Sequence, residues 1–220
     1  VYLTRIKLEY KMKDIKYAGL NAQMNPHFIF NSLNTVQMYI VESNKHKAYK
    51  YLSELGQLIR MVLEHSRKPE ISLKDEVKML SLYCELEHAR FIDKFNFSIV
   101  ISPELDNEIK IPVMLIQPLV ENAIIHGVLP NEKKGEIIVS FEPHKKGMLC
   151  LVSDNGIGRK ASYTMKSNKS LHNSVGLNLL KERVRLLDKI KKKGHQIKVI
   201  DKLNKIGESE GTVVRLIIPF

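Results

Sequence analysis

From residue 1 to about residue 67, apolar side chains return every three or four positions: Ile15, Ala18, Ala22, Leu33, Val36 and Ile40, and then Leu52, Leu55, Leu58, Ile59 and Val62. That period is helical, and scarcely any glycine interrupts it. Polar turn formers at Glu42-Ser43-Asn44-Lys45 break the pattern, which predicts two long helices folded into a hairpin. A lone hairpin buries only one stripe of each helix, so a second copy completing a four-helix bundle is the expected cover for the rest.

After Arg67-Lys68-Pro69-Glu70 the pattern changes. Ser72, followed by Asp75 and Glu76, reads as an N-cap with acids in the first turn of a helix running to about Phe91. Residues 95–101 alternate as a strand does, residues 136–141 and 148–152 repeat that signal, and residues 212–218 close the chain with another. Helical stretches are expected at 113–126 and 177–191. The fold class is therefore α+β, with a helical unit over residues 1–68 and a layered unit with a largely antiparallel sheet over residues 69–220.

The 220 residues carry 35 Lys and Arg against 24 Asp and Glu, a net charge of +11. Such an excess suits nucleic acid, an anionic membrane face or a polyphosphate ligand. The densest basic run, Lys-Ile-Lys-Lys-Lys at 189–193, has no aromatic on which a base could stack, so direct nucleic-acid binding is not expected. Two distant cysteines, Cys84 and Cys150, fit a reducing interior. No apolar run approaches the ~20 residues that span a bilayer. The chain opens Val-Tyr-Leu-Thr without methionine and reads as a fragment, any membrane anchor lying upstream.

Three stretches carry candidate chemistry. In Gln23-Met-Asn-Pro-His27-Phe-Ile-Phe-Asn31, a proline inside a helix removes a donor and clashes one turn back, at about 3 kcal/mol. A kink there would lift His27 off the helix; a helix boundary with a cap histidine is the alternative. A neutral imidazole is a usable nucleophile. Asn31 lies one turn on, on the same face. In 116–127, Glu121 and Asn122 interrupt an apolar surface side by side, as hard oxygen ligands for Mg²⁺ or as a buried structural pair. In Ser153-Asp154-Asn-Gly156-Ile-Gly158, the glycines permit close backbone approach to a ligand, and Asp154 could accept a hydrogen bond from an exocyclic amine; an ordinary strand-ending turn uses the same residues. The polar segment that follows, with Lys160, Lys166 and Lys169, reads as a loop. It leads through Ser174-Val-Gly176-Leu177 into a helix whose N-terminus suits phosphate.

Together these stretches resemble the LytS-type sensor histidine kinases of two-component signalling. Asn-Pro-His27-Phe-Ile-Phe-Asn31 is similar to the phosphoacceptor motif, and Tyr83-Cys-Glu-Leu-Glu87-His-Ala-Arg90-Phe91 to the linker-helix motif. Pro118-Leu-Val-Glu121-Asn122-Ala-Ile-Ile-His126-Gly127 resembles the N box, Asp154-Asn-Gly156-Ile-Gly158 the first glycine box, and Gly211-Thr212 the last. The resemblance implies a homodimeric hairpin carrying the acceptor, followed by a Bergerat-type (GHKL) α/β sandwich that binds ATP and Mg²⁺. It implies Asn122 on Mg²⁺, Asp154 on adenine, a lid over about 159–175, and transfer of the γ-phosphoryl to His27. From there the group passes to an aspartate of a response regulator, often one with a LytTR-type DNA-binding domain. This would be the cytoplasmic portion of a bacterial inner-membrane protein.

The chain departs from the family at three places. Ser174 stands where the second glycine box begins, Leu179 where an asparagine is common, and Phe28 where many histidine kinases hold an acid directly after the acceptor. The base is then expected elsewhere: Gln23 orients the ring and Glu121 takes its proton. Ser174 and Leu179 keep alive an alternative, a nucleotide-binding pseudokinase that signals by dimer conformation alone. A gyrase-like clamp of the same ATPase superfamily is a further one, and has no need of His27.

Overall fold

The computed structural model describes residues 26–92, 94–159, 161, 175–191 and 194–220. Gln23, Lys160, Lys166, Lys169 and Ser174 lie outside the described residues, as does the expected kink before Pro26.

Two helices, α1 (Pro26–Val41) and α2 (Lys45–Ser66), meet through a three-residue turn and pack against each other. The reversal is achieved by Ser43, at φ 57°, and by Asn44, whose side chain accepts the Lys47 N–H at 3.1 Å and so caps α2. Val36 and Tyr39 from α1 and Tyr51, Leu55, Leu58 and Val62 from α2 form the buried side.

The short strand β1 (Glu70–Ser72) runs into α3 (Leu73–Arg90), where the Ser72 hydroxyl accepts the Asp75 N–H at 3.1 Å. Then follow β2 (Phe95–Ile101), β3 (Lys110–Pro112), α4 (Gln117–Asn122), a π-helical turn (Ala123–Val128), β4 (Gly135–His144), β5 (Gly147–Asp154), α5 (Val175–Lys191), β6 (Gln196–Leu203) and β7 (Ser209–Ile218). Five strands form one sheet in the order β2-β4-β5-β7-β6; β2 runs parallel to β4 and every other pairing is antiparallel. β1 and β3 form a separate antiparallel pair.

Alternation decides which face of the sheet is covered. Phe95, Ile137, Val139, Phe141, Cys150, Val152 and Leu216 are all buried at 1% exposure or less, while Ser98, Val100, Glu136, Ile138 and Arg215 from the other face are exposed. Leu80 from α3, Ile116, Leu119 and Ile124 around α4, and Val184 and Leu187 from α5 complete the same core.

The helix expected over 113–126 is displaced. Residues 113–116 are not helical: Met114 has φ 63°, and the Arg183 guanidinium of α5 donates to the carbonyl of Met114 at 2.9 Å and to that of Val113. Those two acceptors are taken from outside, so helix starts only at Gln117, with Pro118 in the first turn where its missing N–H costs nothing. It then runs past His126 to Val128 as a π turn. The edge strand β6 was not expected, because Gln196-Ile-Lys-Val-Ile-Asp-Lys-Leu mixes lysines among its apolar positions.

Candidate active site

His27 lies in the first described turn of α1 and is exposed. The Asn31 side-chain nitrogen sits 3.1 Å from Nδ1 and 3.3 Å from Nε2 of the ring, so the amide one turn along faces both ring nitrogens. Asn31 also anchors α1 through its carbonyl, which accepts the Thr35 hydroxyl at 3.0 Å. Phe28, the next residue, turns the other way, onto α3.

A second group of residues comes from the α4–π turn and the β5 exit. Asn122 donates its side-chain N–H to the Pro118 carbonyl at 2.5 Å, which makes its amide oxygen the atom that could take a cation. Glu121 beside it is partly buried, and burial lifts its carboxyl above the usual range. His126 is half-buried in the π turn, a distortion that recurs at functional sites.

The π turn and the glycine loop after β5 meet backbone to backbone. Ile157 N–H donates to the Gly127 carbonyl at 3.0 Å, and a Cβ on Gly156 would stand 2.1 Å from the Gly127 carbonyl carbon. On the other side Gly211 of β7, at φ +116°, passes so close that its Cβ would lie 2.0 Å from the Asp154 carbonyl oxygen. Gly158 takes φ +71° against Ser209. Within this cradle Asp154 is 6% exposed. One carboxylate oxygen accepts the Gly156 N–H at 2.9 Å. Burial raises the carboxyl above its ordinary pKa, against the opposing pull of the Gly156 N–H, the Lys202 charge and the Thr212 N–H. Thr212 stands opposite Asp154 in the β5–β7 ladder. Asp154, Gly156, Gly158 and Thr212 thus meet where β5 and β7 adjoin, and Gly127 brings the π turn that contains His126, and follows Asn122, against the glycine loop. Gly176 and Leu177 fall in the first described turn of α5.

The group between the two sites was only partly foreseen. Glu87 is completely buried; one oxygen takes the Arg90 guanidinium at 2.7 Å, and burial, followed by the opposing Arg90 charge and the reinforcing Glu121 charge, pushes its carboxyl up to about 7. The Tyr83 phenol, raised chiefly by burial, feels both Glu121 and Glu87. α3 therefore stands between the hairpin and the turn that carries Glu121. Its Tyr-x-x-x-Glu-x-x-Arg motif was the available signal.

A five-stranded mixed sheet covered by helices, with a glycine-backed carboxylate at one end, is the layout of a histidine kinase catalytic domain. Residues 15–95 match the histidine kinase family. The chain is 36% identical over 166 residues to "Sensor protein LytS" of Staphylococcus saprophyticus, covering 75% of this chain and 28% of that protein. It is 34% identical over 173 residues to "Sensor histidine kinase YpdA" of Escherichia coli, covering 77% of this chain and 30% of that one. The solved structure of histidine kinase ThkA in complex with response regulator protein TrrA aligns at 16% identity and a TM-score of 0.45, covering 100% of this chain and 67% of that one. The chain is thus homologous to the sensor histidine kinases of the LytS group, and spans less than a third of the length of these two curated relatives.

Proposed function

We propose that this chain is the kinase portion of a LytS-type sensor histidine kinase, which moves the γ-phosphoryl of ATP to His27 and onward to an aspartate of a response regulator. The observation that carries this reading is the cradle formed by Gly127, Gly156 and Gly211 around the buried carboxylate of Asp154. A methyl group at Gly156 or Gly211 would run into the backbone of Gly127 or Asp154, and one at Gly127 would stand 2.9 Å from an Asp154 carboxylate oxygen. A flat heterocycle with an exocyclic amine suits such a slot: the Asp154 carboxylate accepts from the amine, and the Gly156 N–H keeps that carboxylate aimed.

Asn122 Oδ1, with the neighbouring Glu121 carboxylate, would hold Mg²⁺, which when bound neutralises phosphate charge. Gly176 and Leu177, which the sequence places at the start of a helix, are assigned to the phosphates. A His27 ring nitrogen forms the new N–P bond as the bond from the γ-phosphorus to the bridging oxygen breaks, ADP leaves, and the ring proton passes to Glu121. Gln23, four residues earlier in the sequence, is assigned to orient the imidazole. Asn31, facing both ring nitrogens, also positions the water that later dephosphorylates the regulator.

The hairpin works as a homodimer. Phe30, Leu33 and Ile40 on α1 and Tyr49, Leu52 and Leu63 on α2 are exposed, and a second copy would cover them. Among the described residues no helix is long and apolar enough to cross a membrane, and Cys84 and Cys150 are free, buried thiols. We place the chain on the cytoplasmic side of a bacterial inner membrane, with a regulator of the LytTR type as partner.

The decisive experiment incubates the dimer with Mg²⁺ and γ-labelled ATP. Label should be retained on the protein, be lost in acid yet survive alkali, and vanish in His27→Ala. ATP binding without any labelling would transfer the assignment to a pseudokinase, the reading favoured by Ser174 and Leu179. Gln23→Ala and Glu121→Gln should each slow single-turnover labelling; unchanged rates in both would remove their assigned roles.

A further inference from the structure

The loop that carries Asp154 is tethered at both ends by two consecutive residues of β6. At its entry, Lys202 Nζ donates to the Ser153 hydroxyl at 3.4 Å and to the Asp154 carbonyl at 3.1 Å. At its exit, Arg159 presents Nε and Nη2 to the two carboxylate oxygens of Asp201, both at 2.6 Å. Neighbours on a regular strand point to opposite faces and would not both reach one loop. Here the ladder is irregular: Asp201 stands opposite Thr212 but Leu203 opposite Ser209, so β7 inserts an extra residue against Lys202. A bulge bends the pair and re-aims its side chains. The same bulge contains Gly211, whose backbone presses against the Asp154 carbonyl.

We propose that Asp201, Lys202 and Arg159 are positioning residues for nucleotide recognition, holding the 153–159 loop in the one shape that presents the Asp154 carboxylate to the base. The proposal rests on the ATP reading above and goes beyond it, because none of the three belongs to a recognised motif box. The loop holds two glycines, and fixing so permissive a backbone only on binding would cost affinity. The Arg159 and Asp201 side chains are 42% and 31% exposed, so the pair adds little to global stability, while its bidentate geometry still imposes direction. The expected signature is loss of base recognition with the fold retained.

Calorimetric titration of the whole chain with ATP and with GTP tests this. Lys202→Met and Asp201→Asn should each weaken ATP about tenfold and lower the ATP-over-GTP preference, with thermal unfolding little changed. The exchange of partners, Arg159→Asp with Asp201→Arg, should recover part of the loss. Unaltered ATP affinity and preference in both single variants would overturn the clamp, as would weakened binding with an unaltered preference, since that marks a merely structural role. If the unmodified chain binds neither nucleotide, the ATP reading falls and the clamp with it; binding by the unmodified chain separates the two.

Discussion

The ring of Phe28 lies 5.4 Å from the ring of Tyr83, centroid to centroid, tilted by 36°. Phe28 directly follows His27, and Tyr83 opens the Tyr-x-x-x-Glu-x-x-Arg stretch of α3. A second tie joins the same two helices, from the Tyr39 hydroxyl to the Ala89 carbonyl at 3.2 Å. The residue that takes the place of an acid after the histidine is therefore a packing residue, seating α1 on α3. Aromatic pairs of this kind contribute about 0.5–1.5 kcal/mol beyond burial. A double-mutant cycle with Phe28→Ala and Tyr83→Leu, read by urea unfolding, should return a coupling of that size. Strictly additive losses would show that the rings act independently.

The cradle makes a sharper demand. Gly156→Ala puts a methyl 2.1 Å from backbone that cannot retreat, so nucleotide binding should be lost, with the sheet core intact by circular dichroism. Gly156→Ala binding ATP as the parent does would show that the two turns need not touch.

Gly56 offers the contrast. A Cβ there meets nothing within 4 Å, and Gly56 lies in the exposed row of Tyr49, Leu52 and Leu63 at helical spacing. In an isolated helix Gly→Ala stabilises by about 0.5–1 kcal/mol. Gly56→Ala should therefore be tolerated within the single chain, whereas Leu52→Asp combined with Leu63→Asp should turn the proposed dimer into monomer by light scattering. Unchanged mass in that double variant would place the dimer contact on another face.

Glu76 sets a pH dependence. It is 1% exposed, neither oxygen makes a hydrogen bond of ordinary geometry, and burial pushes its carboxyl up to about 7 against the opposing pull of the Ile116 N–H, the Arg183 charge and the Met114 N–H. Arg183 in turn is lowered to about 10, mainly by burial. A carboxyl whose pKa is higher folded than unfolded favours the folded state at low pH, and that contribution is lost as pH rises from about 4.5 to about 7. Thermal unfolding of Glu76→Gln should vary less between pH 5 and pH 7.5 than that of the parent. An identical pH slope would show that Glu76 stays charged throughout.

Much of this molecule was legible in its one-dimensional pattern. The turn at Glu42-Ser43-Asn44, the Ser72 cap and the strand β2 all follow from local rules, because hydrophobic period and capping chemistry act over a few residues. Asn31 beside His27 and the glycine box after β5 were legible for the same reason. The start of α4 was not: it depends on Arg183, about seventy positions away, taking two carbonyls. Nor was the clamp on the Asp154 loop, made by a strand whose lysines hide its alternation.

What the sequence determined alone is the run of helical and extended stretches that local rules mark and the kinds of groups at hand: an imidazole with an amide one turn on, a carboxylate–amide pair, and an acid among glycines. Tertiary structure decided which of them meet. The backbone contact of Gly127 with the 156–157 turn, the bulge that aims Lys202, and the burial that raises Glu76, Glu87 and Glu121 all join residues far apart along the chain, and only packing can create contact and exclude water there.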